Sequence, residues 1–442
     1  MTDTTPPSRP GFREALHVWA KIGLLSFGGP AGQIAMMHRM LVDEKKWISE
    51  PQFLHALNFC MLLPGPEAQQ LATYVGWLLH RAKGGVAAGL LFILPGLCVI
   101  LGLSAVYMLW REVPAVEGVF FGLQAAVLAI VIEAVQRIAK RAIKTRFLLA
   151  LGGAAFAAIY GLQLPFPLIV LGAGLVGAMV GRRRPDWIAA AAVKDDRDVL
   201  PSVPPSARRS LLLLGLFGLL WFAPVIALLV TLGDAHVYSR IGVFFSEMAV
   251  VTFGGAYAVL AYVAQQAVTI YGWLSPDQML HGLGLAETTP GPLILVLTFV
   301  GFVAGFEHGG FASPLLGGLA GGLLATWVTF VPCFLWIFLG APYVERARHV
   351  RAFAHALAAI TAAVVGVILN LAVWFALHVL FRQMQPLSFG PLHWDLPVLS
   401  SLDPAMALLA AVALVAVFRF HLGLGWLLGG AAVAGIVIRL AA

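Results

Sequence analysis

Two proline-glycine-proline triplets, Pro64-Gly65-Pro66 and Pro290-Gly291-Pro292, are the residues of this chain best placed to do chemistry, because a helix-forming pattern follows each of them. Proline is favoured at the first helical position, where its missing N–H would be unpaired anyway. A helix starting there points its first N–H groups back at whatever precedes it: those of Glu67, Ala68 and Gln69 in one copy, and of Leu293, Ile294 and Leu295 in the other. About half a positive charge and several bare donors make such an end an anion site. Two of them facing one another near a bilayer midplane would suit a small, divalent, tetrahedral oxyanion. Gln69, Gln70 and Thr73 add donors beside the first, and Thr288, Thr289 and Thr298 beside the second. Alternatively, both triplets are kinks that let helices pack closely.

The triplets belong to an internal repeat. Phe27-Gly28-Gly29 precedes the first and Phe253-Gly254-Gly255 the second, and both pairs are offset by 226 residues (27 to 253, 64 to 290). Trp47 falls on Trp273, Ser49 on Ser275, Gln52 on Gln278 and His55 on His281. Repeated helix breakers in two related halves point to a binding site between them. Gly28-Gly29-Pro30 and Gly254-Gly255 either allow close backbone packing or line the same cavity with unwound carbonyls and amides.

Ionisable residues within apolar segments are costly and are functional candidates by default. Lys21 and Glu247 occupy equivalent positions with opposite charge, so Lys21 could attract an anion and Glu247 carry a proton, or both could reach to the interface or pair. Glu67 and Glu287 flank the two triplets and are further proton carriers, with burial favouring their neutral forms. Glu67 could instead be a first-turn acid stabilised by its own helix. Glu133 with Arg137 reads as an i,i+4 pair, and His55 and His281 as packed helix histidines. Cys60, Cys98 and Cys333 are scattered through apolar segments without metal-ligand spacing. Neither a nucleotide-binding loop nor a nucleophile-histidine-acid set is visible, so no cofactor, metal or catalytic residue is expected.

Sixty per cent of residues are apolar, eleven per cent are charged and mean hydropathy is +0.90, which excludes an ordinary soluble domain. Apolar runs such as Gly85 to Trp110, Val113 to Val135, Leu211 to Leu232 and Leu315 to Gly340 are long enough to cross a bilayer as helices. The net charge of +7 sits at the ends of these runs, as the positive-inside rule expects, so no nucleic-acid partner is implied. The N-terminus lacks the pattern of a cleavable signal, and with Arg182 to Ser210 it is expected on the cytoplasmic side. That polar stretch separates a first repeat, residues 1–181, from a second, residues 211–442, with 182–210 as linker. Lys and Arg do not match between equivalent loops: Arg39, Lys45 and Lys46 have no basic counterparts around Gln265 to Gln278. An all-α polytopic membrane protein is expected, made of two inverted-topology repeats with broken helices and re-entrant helical hairpins.

Ser26-Phe27-Gly28-Gly29-Pro30 with Trp47-Ile48-Ser49 and Leu62-Leu63-Pro64-Gly65-Pro66, and Thr252-Phe253-Gly254-Gly255-Ala256-Tyr257 with Gly272-Trp273-Leu274-Ser275 and Thr289-Pro290-Gly291-Pro292, resemble the paired signatures of the chromate ion transporter family in its long-chain, two-domain form. The likeness covers essentially the whole chain. It implies a secondary transporter in a bacterial inner membrane that exports chromate, an analogue of sulfate, by using the proton motive force, and so confers chromate resistance. Pro30 and Glu67 depart from the other copy, which carries Ala256 and Leu293 there, so the halves should contribute unequally. The other readings are a sulfate or oxyanion uniporter or channel, and, in different classes, a membrane-embedded enzyme or a scaffold subunit. A homodimer is one candidate assembly.

Overall fold

The computed structural model describes residues 10–27, 29–188, 206–253, 256–342, 351–389 and 392–441. Most of the linker 182–210, and the first nine residues, therefore lie outside the described residues. In chain order the helices are α1 (Phe12–Leu25), α2 (Gly29–His38), α3 (Glu50–Cys60), α4 (Glu67–Trp110), α5 (Pro114–Ala142), α6 (Arg146–Tyr160), α7 (Phe166–Arg183), α8 (Ala207–Leu232), α9 (Val237–Val251), α10 (Ala256–Gln265), α11 (Pro276–Thr288), α12 (Val296–His308), α13 (Pro314–Gly340), α14 (Arg351–Leu380), α15 (Pro404–Phe418) and α16 (Leu424–Ala441). Seven described helical segments are long and apolar enough to span a membrane. Their outer faces carry exposed residues such as Leu171, Leu175, Leu219, Val230 and Val433, an arrangement that suits lipid and not water. The chain is an all-α polytopic membrane protein.

The repeat is visible in the backbone. Each copy passes from a short helix into a π-helical turn, Arg39–Glu44 after α2 and Gln266–Ile270 after α10. Matching hydrogen bonds close both turns, Lys45 N–H to Met40 C=O and Tyr271 N–H to Gln266 C=O, at 3.0 and 2.8 Å. Lys46 and Gly272 then both take positive φ. Ser49 with Gln52 and Ser275 with Gln278 form equivalent capping boxes that start α3 and α11.

The described residues fall into two compact units. The first is drawn from Met1–Leu101, Ala192–Ala256 and Thr289–His349, the second from Gly102–Ala191, Tyr257–Thr288 and Val350–Ala442, so each unit contains parts of both repeats. Within the first unit α4 is interrupted by non-helical His80 and Arg81. Its arms fold back on each other: a Cβ on Gly76 would stand 2.4 Å from the Gly84 carbonyl, and one on Gly84 would stand 2.2 Å from that of Gly76. α12 and α13 form the matching hairpin through Gly301 with Gly321 and Gly305 with Gly317. Small residues permit this backbone contact between membrane helices.

In the second unit α5 meets α16 at Gly118–Gly435 and Gly122–Ala431, and α14 meets α6 at Gly152–Gly366. Between α14 and α15 lies an antiparallel hairpin, Met384–Phe389 with Leu392–Pro397, which the apolar pattern did not announce. Arg382 and Asp403 bracket it with a 2.7 Å ion pair, while Asp403 also caps α15.

Adding one methyl group tests the glycine contacts. Gly321→Ala places its Cβ about 2.1 Å from the Gly301 carbonyl oxygen, so it should destabilise the protein by roughly 1–3 kcal/mol. Gly215→Ala, with open space around its Cβ, should be neutral or slightly stabilising. Unfolding in detergent separates the two variants.

Candidate functional site

Both Pro-Gly-Pro breaks lie in the first unit, and each is closed by the opposite repeat. The Gly65 N–H donates to the Thr252 carbonyl and the Gly291 N–H to the Ser26 carbonyl, both at 2.8 Å. Ser26 and Thr252 are equivalent residues, each immediately before a Phe-Gly-Gly motif. Exchange of the same bond between equivalent positions is the signature of a local two-fold relation. The side chains repeat it too: the Ser26 hydroxyl donates to the Ile22 carbonyl at 2.6 Å, and the Thr252 hydroxyl to that of Met248.

The glycines are required. Their φ angles are +118° and +91°, a region that L residues adopt only with strain. A Cβ on Gly65 would lie 2.9 Å from Gln70 Nε2 and 3.0 Å from Cys333 Sγ; one on Gly291 would lie 3.2 Å from the Phe92 carbonyl. Phe59 and Tyr74 stand on either side of the first break with ring centroids 5.1 Å apart. A straight helix would separate them by about 22 Å, so the chain turns back at the triplet.

Fully buried glutamines surround the breaks. Gln70 Nε2 donates to the Pro64 carbonyl at 2.6 Å, Gln69 Nε2 to the Thr73 hydroxyl at 3.0 Å, and Gln33 Nε2 to the Gly291 carbonyl at 2.5 Å and that of Ser26 at 3.5 Å. The Oε1 atom of each is buried without a protein partner. Gln33 escapes sequence reasoning because its counterpart, Val259, is apolar; a lone amide in the apolar run from Gly29 to Met37 was the available signal.

The two helix starts differ. After Pro66, α4 begins directly and its first bond is Gln70 N–H to the Pro66 carbonyl, at 3.0 Å, which leaves Ala68 and Gln69 N–H as first-turn donors. After Pro292 the chain makes a 3-10 turn, Leu293–Leu295, in which the Leu295 N–H donates to the Pro292 carbonyl at 2.9 Å. Leu295 is therefore not the bare donor expected of it, and the three leucine and isoleucine side chains here are buried.

Gly29, Pro64, Gly65, Pro66, Glu67, Gln69, Gln70, Thr289, Pro290, Gly291 and Pro292 thus fall in one unit with Lys21 and Glu247. Lys21 and Glu247 occupy exposed faces of α1 and α9, while Glu67 is half-buried. Gly28, Gly254 and Gly255 lie outside the described residues. Thr298 is occupied by Thr326 at 2.7 Å, and the Thr288 hydroxyl by the Leu285 carbonyl at 2.8 Å. Glu287 and Thr288 belong to the second unit. There Glu287 is buried and accepts a 2.7 Å hydrogen bond from the Tyr257 hydroxyl. His281, on the same helix, is held between Tyr107 and Gln124, each at 3.0 Å. Glu133 pairs with Arg137 along α5.

Broken helices repeated at equivalent positions, with polar side chains buried at the breaks, in a multi-span membrane protein are the arrangement in which membrane transporters build their binding sites. Residues 13–178 and 239–436 match the chromate transporter family. The chain is 34% identical over 322 residues to a chromate transport protein of Pseudomonas aeruginosa, covering 71% of each. It is 27% identical over 429 residues to a chromate transport protein of Cupriavidus metallidurans, covering 96% of this chain and 92% of that one. An uncharacterized transporter of Methanocaldococcus jannaschii is 26% identical over 362 residues, 81% of this chain and 83% of its own. No solved structure matches. The chain belongs to the chromate transporter family.

The closure of the breaks has a direct consequence. Gly65→Ala retains the N–H but strains the backbone and crowds Gln70, and should lower stability by roughly 1–3 kcal/mol. Denaturation in detergent, with Gly11→Ala as a control in open space, measures it.

Proposed function

We propose that this protein is a secondary transporter that exports chromate across the bacterial inner membrane, uses the proton motive force and confers chromate resistance. The observation that carries this reading is a paired helix break whose first copy opens into the N-terminus of α4, with the Ala68 and Gln69 amides and buried Gln69 and Gln70 beside it. Chromate is a tetrahedral oxyanion, and backbone donors at a helix N-terminus bind such anions without needing a fixed cation. The second break, with its 3-10 start and apolar turn, is the supporting partner and not an equal ligand. Family membership and the names of the relatives favour chromate among oxyanions and a transporter over an enzyme.

The unmatched loop charges support inverted repeats, with the N-terminus and linker on the cytoplasmic side. The short α3 and the first arm of α4 are each below the ~20 residues needed to cross a bilayer, as a re-entrant hairpin requires. Alternating access then follows from rocking of parts around the site. Glu287, buried against the Tyr257 hydroxyl, is the carboxylate best placed to take up and release a coupling proton.

Labelled chromate flux in everted vesicles, with and without an imposed pH gradient, tests the reading. Wild-type vesicles should accumulate chromate in a gradient-dependent manner. Gly65→Leu and Gly291→Leu should reduce flux to background while the protein stays in the membrane, and Glu287→Gln should remove the response to the gradient. Unimpaired flux in both glycine variants would overturn the site, and no chromate flux in the wild type would overturn the substrate.

A further inference from the structure

Gln70 and Gln33 cannot present their amides in either orientation. Gln70 Nε2 lies 2.6 Å from the Pro64 carbonyl oxygen, and Gln33 Nε2 lies 2.5 Å from that of Gly291 and 3.5 Å from that of Ser26. Turning either amide over would set oxygen against oxygen, so the NH2 groups are committed to the breaks. Gln33 spends both its N–H groups in this way and Gln70 one of its two; in each case Oε1 is left as an acceptor, buried and without a protein partner, with Gln70 0% exposed and Gln33 1%. An orphaned buried acceptor is costly, and only a hydrogen-bond donor or a cation can relieve it. A fully deprotonated oxyanion is neither, and its oxygens would repel Oε1.

From this geometry, and resting on the oxyanion reading above, we infer that the site takes its oxyanion in the monoprotonated form, with the bare oxygens on the first-turn N–H groups of α4 and the hydroxyl donating to Gln70 Oε1. Gln33 Oε1 provides the equivalent acceptor at the second break. A discrimination follows that backbone donors alone cannot make. Chromate takes up its first proton near neutral pH, whereas sulfate, of the same shape, stays doubly charged until strongly acidic conditions. The amide acceptor therefore selects by the basicity of the anion and not by its size, and each chromate bound carries a proton into the site.

The groups near Gln70 that could themselves titrate are the Cys333 thiol, on α13 beside the Gly65 break, Glu67 on the same turn of α4, and Cys60 at the end of α3. On the helix of Gln33 the nearest is His38, which is paired with Asp43 and Glu50. Of these Glu67 is the one whose protonation could imitate the effect, and it has its own variant in the test.

The full-length protein in liposomes, with equal pH on both sides, is assayed for labelled chromate exchange between about pH 6 and about pH 8, with sulfate as competitor and with sodium replaced by a large organic cation in a parallel series. The half-saturating total chromate concentration should rise toward tenfold per pH unit once the monoprotonated form becomes scarce. Sulfate should fail to compete across the range, and replacing sodium should change nothing. Glu67→Gln should alter the rate but keep the slope, while Gln70→Met, which removes the acceptor and keeps the bulk, should flatten it. A pH-independent half-saturation, equal competition by sulfate, a requirement for sodium, or a flattened slope in Glu67→Gln would each overturn the inference while leaving chromate transport intact. Absence of chromate exchange at every pH would instead remove the oxyanion reading itself.

Discussion

Two backbone hydrogen bonds carry the rest of this structure. A helix broken inside a membrane exposes N–H and C=O groups that hydrocarbon cannot satisfy, at a cost of several kcal/mol each. Here each broken repeat is completed by the other: Gly65 N–H on the Thr252 carbonyl, Gly291 N–H on that of Ser26. Neither glycine amide is satisfied within its own repeat, so the halves depend on one another at the point where both are least regular. The positive φ at both glycines and the serine or threonine that turns its hydroxyl back into its own helix follow from that constraint.

Function grows from what those bonds leave over. With the glycine amides used for structure, the described residues still offer the first-turn amides of α4 as donors and the amide oxygens of three buried glutamines as acceptors. The two copies start from nearly the same sequence but end unequal. Gln69 and Gln70 have Leu295 and Val296 as counterparts, so polar chemistry concentrates at the first break while the second packs apolar side chains in a tighter turn. On the proposed reading, one copy holds the ligand while the other braces it.

Much of this was legible in the sequence. The 226-residue offset gave the two copies, the hydropathy gave the spans, and proline at the first helical position gave the start of α4. The 3-10 start after Pro292 was not legible, because Leu293, Ile294 and Leu295 suit either turn. Gln33 was missed because its partner is a backbone carbonyl 258 residues away, and backbone partners leave no mark on side-chain pattern. The hairpin 384–397 was missed for a different reason, being a short polar interruption between two strongly apolar helices. The reciprocal exchange itself is invisible to composition, since any residue supplies a carbonyl.

Site-resolved hydrogen exchange of the Gly65 and Gly291 amides, in the full-length protein in a lipid environment, tests the central claim most directly. Mutual closure predicts strong protection at both, and a simultaneous loss of protection at Gly65 and Gly291 when Gly321→Leu disturbs the α12–α13 hairpin. Rapid exchange at either glycine in the undisturbed protein would contradict it, because a break open to water does not need the other repeat to complete it.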